Sequence, residues 1–191
     1  MGNEPGADDG DREARFRQLY AATYADVSRF VLRRAHASHV EDVTAEVFVV
    51  AWRRLPDVPT TPGEATAWLL GVARLTLQNS SRGRQRYAAL TVRIAEHGPH
   101  QVDAADDVLT RRLDLAAAWP RLSTSHQEAI ALIAWDGLST AQAAAVIGIS
   151  AVAFRLRLSR ARRVLRRHLD EPAEPPLDQP TQQHQSARRT R

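Results

Sequence analysis

Arg155, Arg157, Arg160, Arg162, Arg163, Arg166 and Arg167 fall within a stretch, 151–169, that contains no Asp or Glu. A run of Arg is by itself most often a solvated helix face, but such a face normally mixes in Glu as i,i+4 partners. Guanidinium groups left without acids suit a polyanion instead, and their planar fork matches phosphate oxygens. At about 100° per residue, Phe154, Leu158, Ala161, Leu165 and Leu169 make one narrow apolar stripe while the Arg residues spread over the remaining surface. Upstream, Ser139 can cap a short Ala-rich helix, Gly148 can supply a left-handed turn after Ile147, and Ser150 can cap the Arg-rich helix. The pattern over 138–169 is a helix-turn-helix, and its second helix is placed to touch DNA.

A second basic cluster, Arg82, Arg84 and Arg86, sits beside Asn79, Ser80 and Tyr87; alone it fits a solvated helix end as well as a DNA contact. Other chemistry finds little support. The chain has no Cys, which excludes disulfides and thiolate metal sites. His36 with His39, and His97 with His100, have spacing a metal could use, but no carboxylate pair accompanies them, so neither metal nor cofactor is expected. No Gly-rich phosphate loop and no Ser, His and acid grouping is recognisable, so an enzyme is not expected.

The elements that must carry these residues are helical. The 191 residues, 43% hydrophobic and 25% charged, suffice for one ordinary domain or two small ones, and the net charge of +4 is modest. What matters is its distribution, an acidic start and middle against a basic last helix. Residues 1–11 have almost nothing apolar and are expected to be disordered. Phe16, Leu19, Tyr20, Thr23, Val27, Phe30 and Val31 predict a helix to about Ala37. Ser38 and Glu41 have capping-box spacing for a second helix, 41–55. PDVPTTPG, 56–63, is a loop; Thr61, Pro62 and Glu64 then start a third helix, in which Gly71 signals close helix packing. Trp68, at helical spacing, is expected in the core.

Residues 88–105 read as a tether, so the division is 12–87, a linker 88–105, 106–170, and a disordered tail 171–191. In the second unit a helix stops at Pro120, and Ser125 with Glu128 boxes the next, which runs to Gly137. The fold class is all-α, two small helical domains joined by a flexible linker, the second ending in a helix-turn-helix. No signal peptide and no apolar run of about 20 residues is present, so a cytoplasmic protein without membrane insertion is expected.

EDVTAEVFVVAWRRL at 41–55, ATAWLLGVARLTLQNSSRGRQR at 65–86, DGLSTAQAAAVIGIS at 136–150 and FRLRLSRARRVLR at 154–166 occur in this order and spacing. Together they resemble an extracytoplasmic-function sigma factor of the bacterial sigma-70 family, over residues 16–169. The resemblance implies that Asp42, Glu46, Phe48, Val49, Trp52 and Arg53 bind the beta-prime clamp helices of core RNA polymerase, whose beta flap is a further expected contact. For any one of these, a core or solvated role is the competing reading. It implies that Val58, Pro59, Thr60, Arg74, Leu75, Gln78, Arg82, Arg84 and Arg86 melt and read the minus-10 element of promoter DNA. It implies that Ser139, Ser150, Arg155, Leu156, Arg157, Ser159, Arg160 and Arg163 bind the minus-35 element, and that an anti-sigma factor is a partner.

The sequence departs from the family at two places. Leu75 stands where an Asn is usual after Val72-Ala73-Arg74, and Val152-Ala153-Phe154 replaces a common Gly-Thr-Val. Leu156 projects among the Arg residues, away from the apolar stripe, where it could contact a thymine methyl. The function expected is a sigma factor that directs promoter-specific initiation. A helix-turn-helix regulator working without polymerase would leave 41–86 unexplained, and a sigma-like adaptor that does not support initiation stays open because of Leu75.

Overall fold

The computed structural model describes residues 5–79 and 113–170, all in helices, single 3-10 turns and short connections. Helix α1 spans Pro5–Leu32, α2 Val40–Arg53 and α3 Pro62–Asn79. After the undescribed stretch come α4, over 113–118, α5 at Thr124–Ala134, α6 at Thr140–Ile147 and α7 at Ala151–Asp170. The expected tether, 88–105, the Arg82, Arg84 and Arg86 cluster, His97, His100 and the tail 171–191 lie outside the described residues. The all-α architecture stands as expected, with no strand among the described residues.

Helix α1 corrects the expectation of a disordered start: it is helical from Pro5. Its polar first turns are not free of the domain. Arg12 stacks its guanidinium 4.4 Å from the Trp52 ring and donates to the Trp52 carbonyl at 3.1 Å. Arg15 donates to the Val58 carbonyl at 2.7 Å. Guanidinium groups thus tie this polar start to the domain where apolar residues do not. At its other end α1 stops at Leu32, short of Ala37.

The expected Ser38–Glu41 capping box does not form. Residues Ala37–His39 make a 3-10 turn whose first amides are met by His36, with Ser38 N donating to His36 Nδ1 at 3.3 Å. Helix α2 therefore begins behind His39 without a side-chain cap. A second correction concerns α5. Ser123, not Ser125, is its N-cap, accepting from the His126 amide, and Glu128 turns elsewhere. Both misplacements come from the same ambiguity: neighbouring Ser and His residues offer several local acceptors, and the turn geometry selects among them.

The other boundaries follow the sequence. Helix α3 starts at Pro62, with the Ala65 amide bonded to the Thr61 carbonyl and the Thr61 hydroxyl on Glu64. Helix α6 has a complete capping box of Ser139 and Gln142. Gly148 closes α6 at φ 72°, ψ 36°, the left-handed region that a Cβ disfavours, and its amide bonds back into the last turn. The Ser150 hydroxyl accepts from the Ala153 amide at 3.2 Å and starts α7.

One continuous core underlies both halves. Val27, Phe30, Val31, Val47, Phe48, Leu69, Leu70 and Ala73 of α1–α3 share it with Leu132, Leu138, Ala143, Val146, Phe154 and Leu158 of α5–α7. The most extensive contact between halves is α3 against α6. A Cβ on Gly71 would stand 3.8 Å from the Val146 Cα, so the close packing that Gly71 signals is packing against the second domain. Trp68 is half-buried, its ring against a smaller cluster of Leu55, Val58 and Ala65.

Candidate nucleic-acid interface

Helices α6 and α7 meet at 100° across a break of three residues, Gly148-Ile149-Ser150, within the range of helix-turn-helix corners. The corner is held from inside by Phe154, Leu158 and Ala161, which are buried against α5 and α6. Leu165 packs with Trp119 and Trp135 in a second cluster, whose two indoles meet edge to face at 4.8 Å. With that face spent on the core, α7 turns the rest outward. Arg155, Ser159, Arg160 and Arg163 are exposed, and Leu156 is 54% exposed beside Val152 at 57%. Two large apolar side chains on the first turns of a helix, ringed by Arg, suit base edges and methyl groups between phosphates. Arg157 is half-buried.

A hollow of about 510 Å³ lies along this face, lined by Thr140, Arg155, Leu158, Ser159, Arg162, Arg163 and Arg166. Arg155, Arg162 and Arg166 repeat at seven and four along α7, so they share one side and face the start of α6. Arg162, Arg166 and Thr140 were not singled out by the resemblance. The signal for the two Arg residues was their helical spacing from Arg155; Thr140 carried none, since its part comes from the corner. Ser139 and Ser150 hold their hydroxyls on capped amides.

The residues assigned to the minus-10 element are split. Val58 is buried and holds Arg15 through its carbonyl, so its side chain is closed to DNA. Thr60 is exposed, whereas Pro59 and Leu75 line a cleft of about 740 Å³ between α3 and α6 together with Arg54, Trp68, Ala141 and Ala145. Leu75 is 55% exposed. Arg74 donates from Nε to Glu128 Oε1 at 2.7 Å, and its Nη1 approaches Gln78 Oε1 at 3.4 Å.

On α2, Asp42, Glu46, Val49 and Arg53 succeed one another at four, three and four and are all exposed, so they make one outward stripe. Phe48 is on the other side, buried at 4% exposure. Its ring lies 4.6 Å from that of Tyr20 and 6.2 Å from that of Tyr24. A partner at this edge would meet the two tyrosines, each about 40% exposed, and half-buried Trp52 rather than Phe48. The sequence singles out Tyr20 only through the α1 periodicity and Tyr24 not at all. His36 and His39 lie 6.4 Å apart ring to ring, and no group of three His, Cys, Asp or Glu side chains that could hold a metal gathers among the described residues. No single helix among them is long and apolar enough to cross a membrane.

Two family models match this chain: sigma-70 region 2 over residues 19–87 and sigma-70 region 4 over residues 112–165. The ECF RNA polymerase sigma factor SigL of Mycobacterium tuberculosis is 33% identical over 165 residues, covering 83% of this chain and 90% of that protein. The chain belongs to the extracytoplasmic-function sigma factors of the sigma-70 family. The sigma factor CnrH of Cupriavidus metallidurans is 35% identical over 147 residues, 71% of this chain and 75% of CnrH. The solved structure of CnrH with the cytosolic domain of CnrY superposes on this sigma factor with TM-score 0.53 at 26% identity, covering 83% of this chain and 89% of that one. The fold is also that of RpoE from Bartonella quintana, solved with the anti-sigma factor NepR (TM-score 0.57, 24% identity, 83% and 98% covered). As a sigma factor it directs RNA polymerase to promoters and acts in transcription initiation.

Proposed function

We propose that this sigma factor divides promoter recognition between its two ends, with α6–α7 on the minus-35 element and the α2–α3 loop with α3 on the minus-10 element. The observation that carries the reading is the α7 face, where uncompensated Arg residues surround exposed Leu156 and Val152 beside a hollow closed by the start of α6. The stripe Asp42, Glu46, Val49 and Arg53 is the surface offered to the polymerase clamp helices, with Trp52, Tyr20 and Tyr24 along its edge. Its acids suit a basic partner, and its aromatics supply the apolar contact. Leu75 lacks the hydrogen-bonding groups of Asn, so at that position the minus-10 element is met by shape and apolar contact. The chain acts by binding rather than by covalent chemistry. An anti-sigma factor is its regulator, the partner class with which RpoE of Bartonella quintana was solved.

The test separates base contact from phosphate contact. Leu156→Ala should reduce discrimination at one base pair of a minus-35 duplex library by about 1 kcal/mol and leave the salt dependence alone. Arg160→Ala should weaken all duplexes alike and lower the salt slope by roughly one. Binding of the full chain across several salt concentrations reads both. Equal loss on every duplex for Leu156→Ala would return that residue to a folding role and contradict the assignment.

A further inference from the structure

The turn between α2 and α3 is short of hydrogen bonds of its own, because Pro56, Pro59 and Pro62 bring no backbone N–H. After α2 comes a 3-10 turn, Leu55–Asp57. It is closed by the Asp57 amide on the Arg54 carbonyl at 2.9 Å and by the Val58 amide on the Leu55 carbonyl at 3.2 Å. Backbone bonding resumes at Thr61, whose carbonyl accepts from the Ala65 amide at 2.9 Å. Between these bonds lies the Val58–Pro59 peptide, which offers a carbonyl and no donor. That carbonyl accepts from Arg15 Nη2 at 2.7 Å, across 43 residues.

Arg15 reaches the turn from the first turns of α1, ahead of the span 19–87 that matches sigma-70 region 2. Arg12, Arg15, Phe16 and Leu19 are spaced at three and four, so they share one side of α1. On that side Arg12 lies over Trp52, while Phe16 and Leu19 pack against Leu55, Val58 and Ala65. Val58 has the extended backbone that a residue before proline prefers, φ −72° and ψ 124°, and its side chain is buried. With that side chain held from inside, the carbonyl held by Arg15 and φ of Pro59 fixed by its ring, the chain leaves the turn in one direction. Thr60, the next residue, is exposed.

The proposed function gives the minus-10 element to this loop and α3, and the inference rests on that reading. A base drawn out of its stack needs a surface to receive it, and a loop that has to be ordered first loses affinity to its own ordering. We infer that Arg15 is a positioning residue for minus-10 recognition: it holds the Val58–Pro59 peptide so that Pro59 and Thr60 meet the opened strand in one fixed shape. Its guanidinium needs no contact with DNA for this. A charged donor suits the task, since its hydrogen bonds are roughly twice as strong as neutral ones. Arg15 is an exposed residue outside the apolar core, so it can be replaced without opening a cavity.

The chain has no Cys, so Thr60→Cys carries a single spin label within the loop. In the free full-length chain the label should be confined, and adding Arg15→Met, which keeps a stem and removes the donors, should free it. Arg15→Lys keeps a donor and should restore part of the confinement. The second readout uses the unlabelled chain with core polymerase on fork-junction DNAs whose single-stranded minus-10 segment is randomised. Arg15→Met should lower the preference among bases in that segment by about three- to tenfold, the low end for losing a hydrogen bond from a charged donor. Arg15→Lys should recover part of it. Affinity for core polymerase, binding of minus-35 duplexes and the denaturation midpoint should stay close to those of the parent. A label equally confined in parent and Arg15→Met, or an equal loss on every fork junction together with a lower midpoint, overturns the inference. A freed label with base preferences like the parent's shows that Arg15 holds a loop that does not read this element; that result faults the promoter assignment and removes the role inferred for Arg15.

Discussion

Phe154→Ala should destabilise the fold by about 3–5 kcal/mol, the cost of removing a fully buried aromatic and leaving its cavity. Phe154 is 0% exposed and belongs to the core shared with Leu132, Leu138, Val146 and Leu158. Against a total stability of about 5–15 kcal/mol for a domain, this is a large share. Chemical denaturation should show the lower midpoint, and duplex binding should fall in proportion to the fraction unfolded. Phe154→Leu should recover most of both. A variant that unfolds like the parent would mean that α7 is not anchored through this side chain.

The second large effect is expected on α2. Asp42→Arg with Glu46→Arg reverses both acids of the exposed stripe without touching the core beneath it. Close charge pairs across protein interfaces couple by about 1.5–7 kcal/mol, so losing even the weakest such pair and adding repulsion should weaken core polymerase binding about 10–100-fold. Since like charges would now face the partner, the loss should appear mainly as slower association and ease at higher salt. Unfolding and minus-35 duplex binding should not change. Titration of labelled core enzyme with parent and variant measures it; equal affinities would remove α2 from the docking surface.

At the corner between α6 and α7 the residues that specify local turns were readable in the chain, whereas the caps at His36 and Ser123 and the residues that join distant segments were not. Ser139, Gly148 and Ser150 act within four residues of themselves, so their types announce the corner between α6 and α7; Gln142, which completes the Ser139 box, was not singled out. The stripe Phe154, Leu158 and Ala161 is likewise a matter of period. By contrast, Asp136 meets Arg34 across 102 residues and Glu128 meets Arg74 across 54. Glu128 in particular has capping-box spacing from Ser125 and is used for something else. Gly71 showed that a close neighbour exists but not which helix it is. Phe48 and Val58 illustrate a further limit: membership of a family's contact segment does not say which side of the helix or loop a residue takes. Here the period decides, with Asp42, Glu46, Val49 and Arg53 outward and Phe48 inward. The polar start of α1 gave no apolar signal because Arg12 and Arg15 tie it down through their guanidinium groups to carbonyls 40 or more positions away.

The central claim is that this chain brings core RNA polymerase to promoters through a two-part element read by α7 and by the α3 region. The most direct measurement is transcription from a genomic DNA library by purified bacterial core polymerase with and without the chain, with mapping of every start site. The account predicts discrete start sites that depend on the chain and share two upstream motifs centred about 25 base pairs apart, roughly 85 Å of duplex. Arg155→Ala with Arg160→Ala should remove most of them. Start sites that are unchanged by adding the chain, or that carry no common upstream pair of motifs, would contradict it.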